Sequence, residues 1–235
     1  MTVDYSVLDN PVRSSLSGPH ARFAERHGQV LRYQPDMAPF MALPDRPDEA
    51  AWRDLADFAG PGTEVALTGG SVVPPTDWEI VAEFPAVQLV DDGVVGVEYP
   101  EAVRLGPADV PEMLDLVART EPGPFLQRTV ELGTYLGIRR GGALVAMAGE
   151  RLHPPGFTEV SAVCTDPDHR GRGYAARLVQ AVVAGIKDRG DIPFLHATAT
   201  NTNAIRLYEA LGFRLHRRPV FKVARVGSLE TVGQG

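Results

Sequence analysis

The chain has 235 residues, 44% hydrophobic and 23% charged, the make-up of an ordinary globular protein with room for one large domain or two small ones. Its net charge of −7 argues against bulk nucleic-acid binding, and no apolar run approaches the roughly 20 residues needed to cross a bilayer. Cys164 is the only cysteine, so no intrachain disulfide can form; Met1-Thr2-Val3-Asp4-Tyr5 lacks the basic start and apolar block of a signal peptide, and the expected location is the cytoplasm.

Residues 1–100 carry 6 Lys+Arg against 16 Asp+Glu, whereas residues 101–235 carry 17 against 14, so an anionic ligand is less repelled by the second part. The first part is punctuated by Pro35, Pro39, Pro44, Pro47, Pro74 and Pro75. Between them Glu49–Phe58 predicts an amphipathic helix, and Glu64–Leu67 and Val87–Val90 predict short strands. The expectation is a small α/β domain over residues 1–98, closed by a linker at Glu98-Tyr99-Pro100.

The second part reads more plainly. Val103–Leu105 is a strand, and Asp109 with Glu112 three positions on predicts a capping box for the helix that follows. Tyr135–Arg139, Leu144–Glu150 and Glu159–Thr165 predict three strands, with turns at Gly141-Gly142 and Pro154-Pro155-Gly156. Ala175, Leu178, Val179, Val182, Val183 and Ile186 repeat at helical spacing up to Asp188-Arg189-Gly190. Phe194–Ala199 is a strand, Asn203–Leu211 a short helix stopped by Gly212, and Phe213–His216 and Phe221–Val226 a closing pair of strands. Residues 227–235 predict a disordered tail.

The most informative stretch lies between the strand ending at Thr165 and the next helix: Asp166-Pro167-Asp168-His169-Arg170-Gly171-Arg172-Gly173-Tyr174-Ala175. Glycines let backbone approach an anion, N–H groups at a helix start point at it, and Arg170 and Arg172 add fixed positive charge. The construction suits a phosphate-bearing ligand, with His169 a candidate to flank the phosphates. A dinucleotide fingerprint also fits Gly171-Arg172-Gly173-Tyr174-Ala175-Ala176. However, five residues separate it from its strand, and the next strand offers no acid for a ribose. No Gly-Lys-Ser/Thr occurs, which excludes a Walker A loop.

Two motifs make residues 101–226 resemble the GCN5-related N-acetyltransferase (GNAT) superfamily. One is Arg170-Gly171-Arg172-Gly173-Tyr174-Ala175, similar to the acyl-CoA loop; the other is Asn201-Thr202-Asn203-Ala204-Ile205-Arg206-Leu207-Tyr208-Glu209-Ala210-Leu211-Gly212-Phe213. Within the superfamily the chain looks closest to the branch with glycine N-acyltransferase-like C-terminal domains, where a degenerate copy of the fold often precedes the catalytic one. The resemblance implies an α/β fold with a mixed, mostly antiparallel, splayed central sheet flanked by helices. It implies acetyl-CoA as cosubstrate, an amine as acceptor, and direct transfer between them.

The resemblance also implies site roles. Arg170, Gly171, Arg172, Gly173, Tyr174 and Ala175 would hold the pyrophosphate through their backbone N–H groups. Val163, Cys164 and Thr165 would pair with the pantetheine arm, an N–H near Val163 or Cys164 meeting the thioester oxygen. Tyr208 would protonate the leaving thiolate, unless it is a core aromatic beside Leu207 and Leu211. Asn201 touches the CoA arm or merely caps its helix, with Asn203 as the spare. Glu159 and Glu150 compete for general base, Glu159 first. Strand alternation puts 159, 161, 163 and 165 on one face. A hairpin turning about Pro154-Pro155 would make Glu150 and Glu159 facing like charges, raising the pKa of one.

Cys164 has no partnered histidine that would make it a nucleophile. His20, His27, His153, His169, His196 and His216 show no metal-ligand spacing, so no metal is expected, and His196 reads as a packed strand residue. The leading segment could shape the acceptor pocket or form a homodimer surface. The alternative to an enzyme is a non-catalytic acyl-CoA-binding regulatory protein on the same fold.

Overall fold

The computed structural model describes residues 3–68 and 72–227, and one strand in it ties the two parts of the chain together. This strand, β5 (Glu79–Asp91), has an exposed first half and a buried second half. Its first half pairs with β12 (Val220–Arg225), which also pairs with β4 (Glu64–Leu67). Its second half lies between β10 (Ile192–Thr198) and β11 (Phe213–Arg217), antiparallel to both. From β4 the sheet runs on through β3 (Phe40–Ala42), β2 (Val30–Tyr33) and β1 (Ala24–His27). From β10 it runs through β9 (Phe157–Thr165), β8 (Ala143–Glu150), β7 (Tyr135–Arg140) and β6 (Val103–Leu105).

Among the described residues only the pairs β3 with β4 and β9 with β10 are parallel, so the sheet is mixed and mostly antiparallel. The boundary expected at Glu98-Tyr99-Pro100 does not divide it. The leading residues supply five of the sheet's strands, and Leu8, Val12, Leu31, Tyr33 and Met37 share one buried cluster with Leu132, Leu152, Phe157 and Phe194. The leading segment is therefore part of the same body. Val87–Val90 was visible as a strand because it is apolar; the charged and proline-bearing stretch Glu79–Pro85 before it gave no such signal. The expected tail beyond Gly227 lies outside the described residues.

Helices cover both faces. The periodic residues of α4 (Tyr174–Asp188), Leu178, Val179, Val182, Val183 and Ile186, are all buried, and they pack with Tyr208 of α5 (Thr202–Leu211) on one face. The other face is covered by α3 (Val110–Thr120) and by the leading segment with its short α1 (Pro11–Leu16). Near the far end, α2 (Glu49–Ala59) starts on Asp48, whose side chain accepts from the Ala51 N–H at 2.8 Å. The capping box expected on α3 is absent. Asp109 accepts instead from the Gly106 N–H (2.9 Å) and from Arg139 (2.6 Å), while Glu112 accepts from Arg139 and from the Leu144 N–H. The non-local arginine out-competes the local cap. No helix among the described residues is long and apolar enough to cross a membrane.

Candidate active site

Beyond Thr165, Asp166 turns the chain by accepting from the Asp168 N–H (2.9 Å), and Arg119 of α3 pairs with the Asp166 carboxylate. Gly171 and Gly173 both have φ +75°, where a side chain costs about 1–2 kcal/mol. A Cβ on either would meet nothing within 4 Å, so the backbone is bare toward open space. Gly173 precedes α4 without any side-chain cap, leaving the first N–H groups of the helix free. Arg170 and Arg172 are exposed beside them, each making one long bond to a loop carbonyl, at 3.3 and 3.4 Å. The Tyr174 side chain turns away from the loop, its ring buried in the core and its hydroxyl accepting from Arg140 (3.0 Å), so that its main chain is what it presents there.

The register shows where a ligand arm can lie. β10 pairs with β9 only from Ile192↔Phe157 to Leu195↔Val160. Past that point the strands part, and the edge of Ser161–Thr165 toward β10 is open. On its other side β9 carries a bulge, Ser161 facing Gly149 and Cys164 facing Met147. Ala162 sits in the bulge at φ +51°, a strained conformation for a residue with a Cβ. The extra residue breaks the expected alternation. Val160 and Val163 pack toward the α4 face, whereas Ala162 and Cys164 pack toward α3.

A cavity of about 1190 Å³ opens along this gap. Its walls include Val163, Cys164 and Thr165, the whole of Arg170–Ala175, and Asn201, Asn203 and Tyr208 of the second motif. The side-chain oxygen of Asn201 caps α5 by accepting from the Ala204 N–H (3.1 Å), and the residue also borders the cavity. The cavity continues on the far side of the sheet to Val12, Phe40, Arg151 and His196, a chamber that the leading segment helps build. Thr165 Oγ1 is buried without a partner at this wall. Burial pushes the Cys164 thiol up to about 11 and the Tyr208 hydroxyl up to about 12, the latter with a smaller contribution from Cys164.

The two glutamates are not where the sequence suggested. Glu150 pairs with Val160 rather than Glu159, because the hairpin register is one residue off the expected one. Glu150 is buried away from the cavity, accepting from Arg189 (2.8 Å) and from the Thr134 N–H (3.1 Å). Glu159 is fully buried and does not line the cavity either. Arg151 holds it in a two-pronged ion pair, Nε to Oε2 at 2.9 Å and a terminal nitrogen to Oε1 at 2.8 Å. His196 Nδ1 lies 2.7 Å from the same Oε1. The expected raised carboxyl is overturned. Burial alone would raise Glu159, but the Arg151 charge and hydrogen bonds, with His196, hold it at about 2. His196 was missed because its partners are remote in sequence; Glu159 lies 37 positions away and Gln88 lies 108. No cluster of His, Cys, Asp or Glu suited to a metal ion occurs among the described residues.

The family model described as FR47-like protein matches residues 135–221. A crystal structure from Novosphingobium aromaticivorans, assigned to the GNAT family as an acetyltransferase, is 40% identical with a TM-score of 0.85, covering 94% of this chain and 99% of that one. The chain belongs to the GNAT family of acetyltransferases. Curated relatives include the N-alpha-acetyltransferase RimI of Mycobacterium tuberculosis, 37% identical over 83 residues, covering 34% of this chain and 51% of that protein. A mycothiol acetyltransferase of Saccharopolyspora erythraea is 28% identical over 145 residues, covering 59% of this chain and 48% of the relative. The chain thus spans about half the length of these curated relatives.

Proposed function

We propose that the protein transfers an acetyl group from acetyl-CoA to a primary amine by direct attack. One observation carries the reading: the open edge of β9 past Val160 and the bare glycine loop before α4 are walls of one cavity, which also reaches Tyr208 and a separate chamber across the sheet. The loop amides and Arg170 and Arg172 would hold the diphosphate, and the arm would pair with the main chain of Val163–Thr165 as an added strand. The amine nitrogen attacks the thioester carbon. The oxygen gains charge against a main-chain N–H of the bulge, for which Val163 is the candidate, and the carbon–sulfur bond then breaks with its electron pair on sulfur.

Tyr208 gives its proton to that sulfur, and the surplus proton that the nitrogen sheds on becoming an amide returns the phenolate to phenol. A phenol at about 12 is a weak acid for a thiolate in water, but the same wall holds the Cys164 thiol at about 11. Burial raises both groups, so a thiolate leaving into this wall is a stronger base than in water and a better match for the phenol. The leading segment, through Val12 and Phe40, would shape the acceptor side. Placement beside the glycine N-acyltransferase-like branch rests on the two motifs alone.

The test is incubation with acetyl-CoA and a panel of primary amines, following free thiol, with calorimetry of CoA binding. Thiol release that depends on the amine supports the reading. Tight CoA binding with no release across the panel favours a regulatory acyl-CoA-binding protein, and no CoA binding at millimolar concentration refutes both.

A further inference from the structure

Resting on the acetyl-transfer reading above, we infer that His196, and not a glutamate, takes the proton from the acceptor amine, with Glu159 positioning it from behind. The residue stands at the fork of the sheet, being the first of β10 beyond the last pair with β9, Leu195↔Val160. It lines the cavity, as Arg151 does, whereas Glu159 and Gln88 do not. Phe194 of the same strand packs with Phe157 and the leading segment, and the His196 ring lies 5.3 Å from that of Phe221. Alternation along β10 therefore turns His196 toward the acceptor chamber, away from α4.

The hydrogen bonds assign its protons. Glu159 is an ionised carboxylate and can only accept, so the Nδ1 that faces it at 2.7 Å carries hydrogen. On the other side, the Gln88 side-chain nitrogen is 3.0 Å from the Leu8 carbonyl oxygen and 3.0 Å from His196 Nε2. A carbonyl oxygen can only accept, which fixes the amide nitrogen in that place and makes it a donor to Nε2. Two independent constraints thus agree on a neutral ring with hydrogen on Nδ1 and a lone pair on Nε2. This is the form a base needs, and a carboxylate behind Nδ1 favours the cation that forms when Nε2 takes a proton.

Gln88 occupies the lone pair at rest with a neutral donor. An incoming ammonium is a charge-assisted donor, roughly twice as strong, and displaces it. The proton passes from the ammonium nitrogen to Nε2, leaving a neutral amine with the electron pair for attack. The charged groups around the ring are Glu159 on β9, Arg151, which is paired with it, and Arg217, which borders a small void beside His196 and Gln88; Lys222 of β12 lines the large cavity and is paired with Glu83. Arg151 is neutralised by Glu159, and Arg217 by Asp9 at 2.5 Å.

The experiment measures acetyl transfer to a reactive primary amine from the panel, as a function of pH, in wild type, His196→Asn and Glu159→Gln. Asparagine keeps a donor for Glu159, and unchanged melting and acetyl-CoA affinity verify the fold. The expected result is a loss of about 10²–10⁴-fold at pH 7 in His196→Asn. The wild-type inflection should vanish in that variant, and Glu159→Gln should move it to lower pH. In His196→Ala, added imidazole should restore part of the rate. Nitrogen-15 spectra of the wild-type ring should show hydrogen on Nδ1 and none on Nε2. Hydrogen on Nε2 instead, or a His196→Asn enzyme with wild-type rate and pH profile, overturns the inference while leaving acetyl transfer standing. If wild type releases no thiol with any amine, the activity reading falls and this inference with it.

Discussion

Replacing Arg151 by methionine tests whether the Arg151–Glu159 pair is the electrostatic keystone of the site. The change removes both hydrogen bonds to a carboxylate with 0% exposure and leaves it only His196. Removing one partner of a buried pair costs about 3–5 kcal/mol. Glu159 is held at about 2, below an ordinary 4.5, so the paired carboxylate favours the folded state, whereas burial without Arg151 would oppose it. A loss of that size lowers the melting temperature of a chain this long by roughly 6–20 °C.

The pH dependence should also change sign. In wild type the folded carboxyl lies below its unfolded value, so its contribution is complete above about 4.5 and is lost as pH falls toward 2. Without Arg151, burial is the dominant influence and raises the carboxyl, so the variant should gain stability relative to wild type as pH falls from 7 to 5. Adding Glu159→Gln to Arg151→Met should recover much of the loss at pH 7. Urea unfolding at pH 7 and pH 5 measures all three proteins. A cost under about 1 kcal/mol at pH 7, or a gap to wild type that does not narrow at pH 5, would refute the reasoning.

Gly173→Val should weaken CoA binding at least 100-fold by calorimetry while costing about 1–2 kcal/mol of stability, since the φ of +75° strains a side chain but no protein atom lies in its way; unchanged affinity would contradict the phosphate loop. Tyr208→Phe should lower kcat by about 10²-fold or more with CoA affinity intact, and a wild-type kcat would remove its role as acid. His20 is buried between Tyr33 and the Leu132 carbonyl, with its pKa lowered to about 3 by burial and by His153. Its folded value lies below the unfolded 6.5, so stability should be full above about 6.5 and fall as pH drops toward 3. His20→Phe should flatten that part of the unfolding curve, and an unaltered slope between pH 6 and 4 would contradict it.

What the sequence alone determined is the local part of this protein. The α4 stripe is legible because helical spacing repeats over 15 residues, and the glycine loop because a turn's chemistry lies in consecutive residues. The Asn201 cap and Gly212 stop of α5 are legible for the same reason. The tertiary structure decided what depends on register and on remote partners. Whether Glu150 faces Glu159 turns on one residue of hairpin offset, and whether Cys164 faces α3 turns on one inserted residue at Ala162; such choices are settled by packing across the sheet rather than by strand propensity. The place of β5 between β10 and β11, which makes the leading residues a wall of the site, and the meeting of Arg151, Glu159, His196 and Gln88 come from four separate strands or strand ends. A buried carboxylate takes its charge state from the cation nearest in space, and no pattern along the chain says which cation that is.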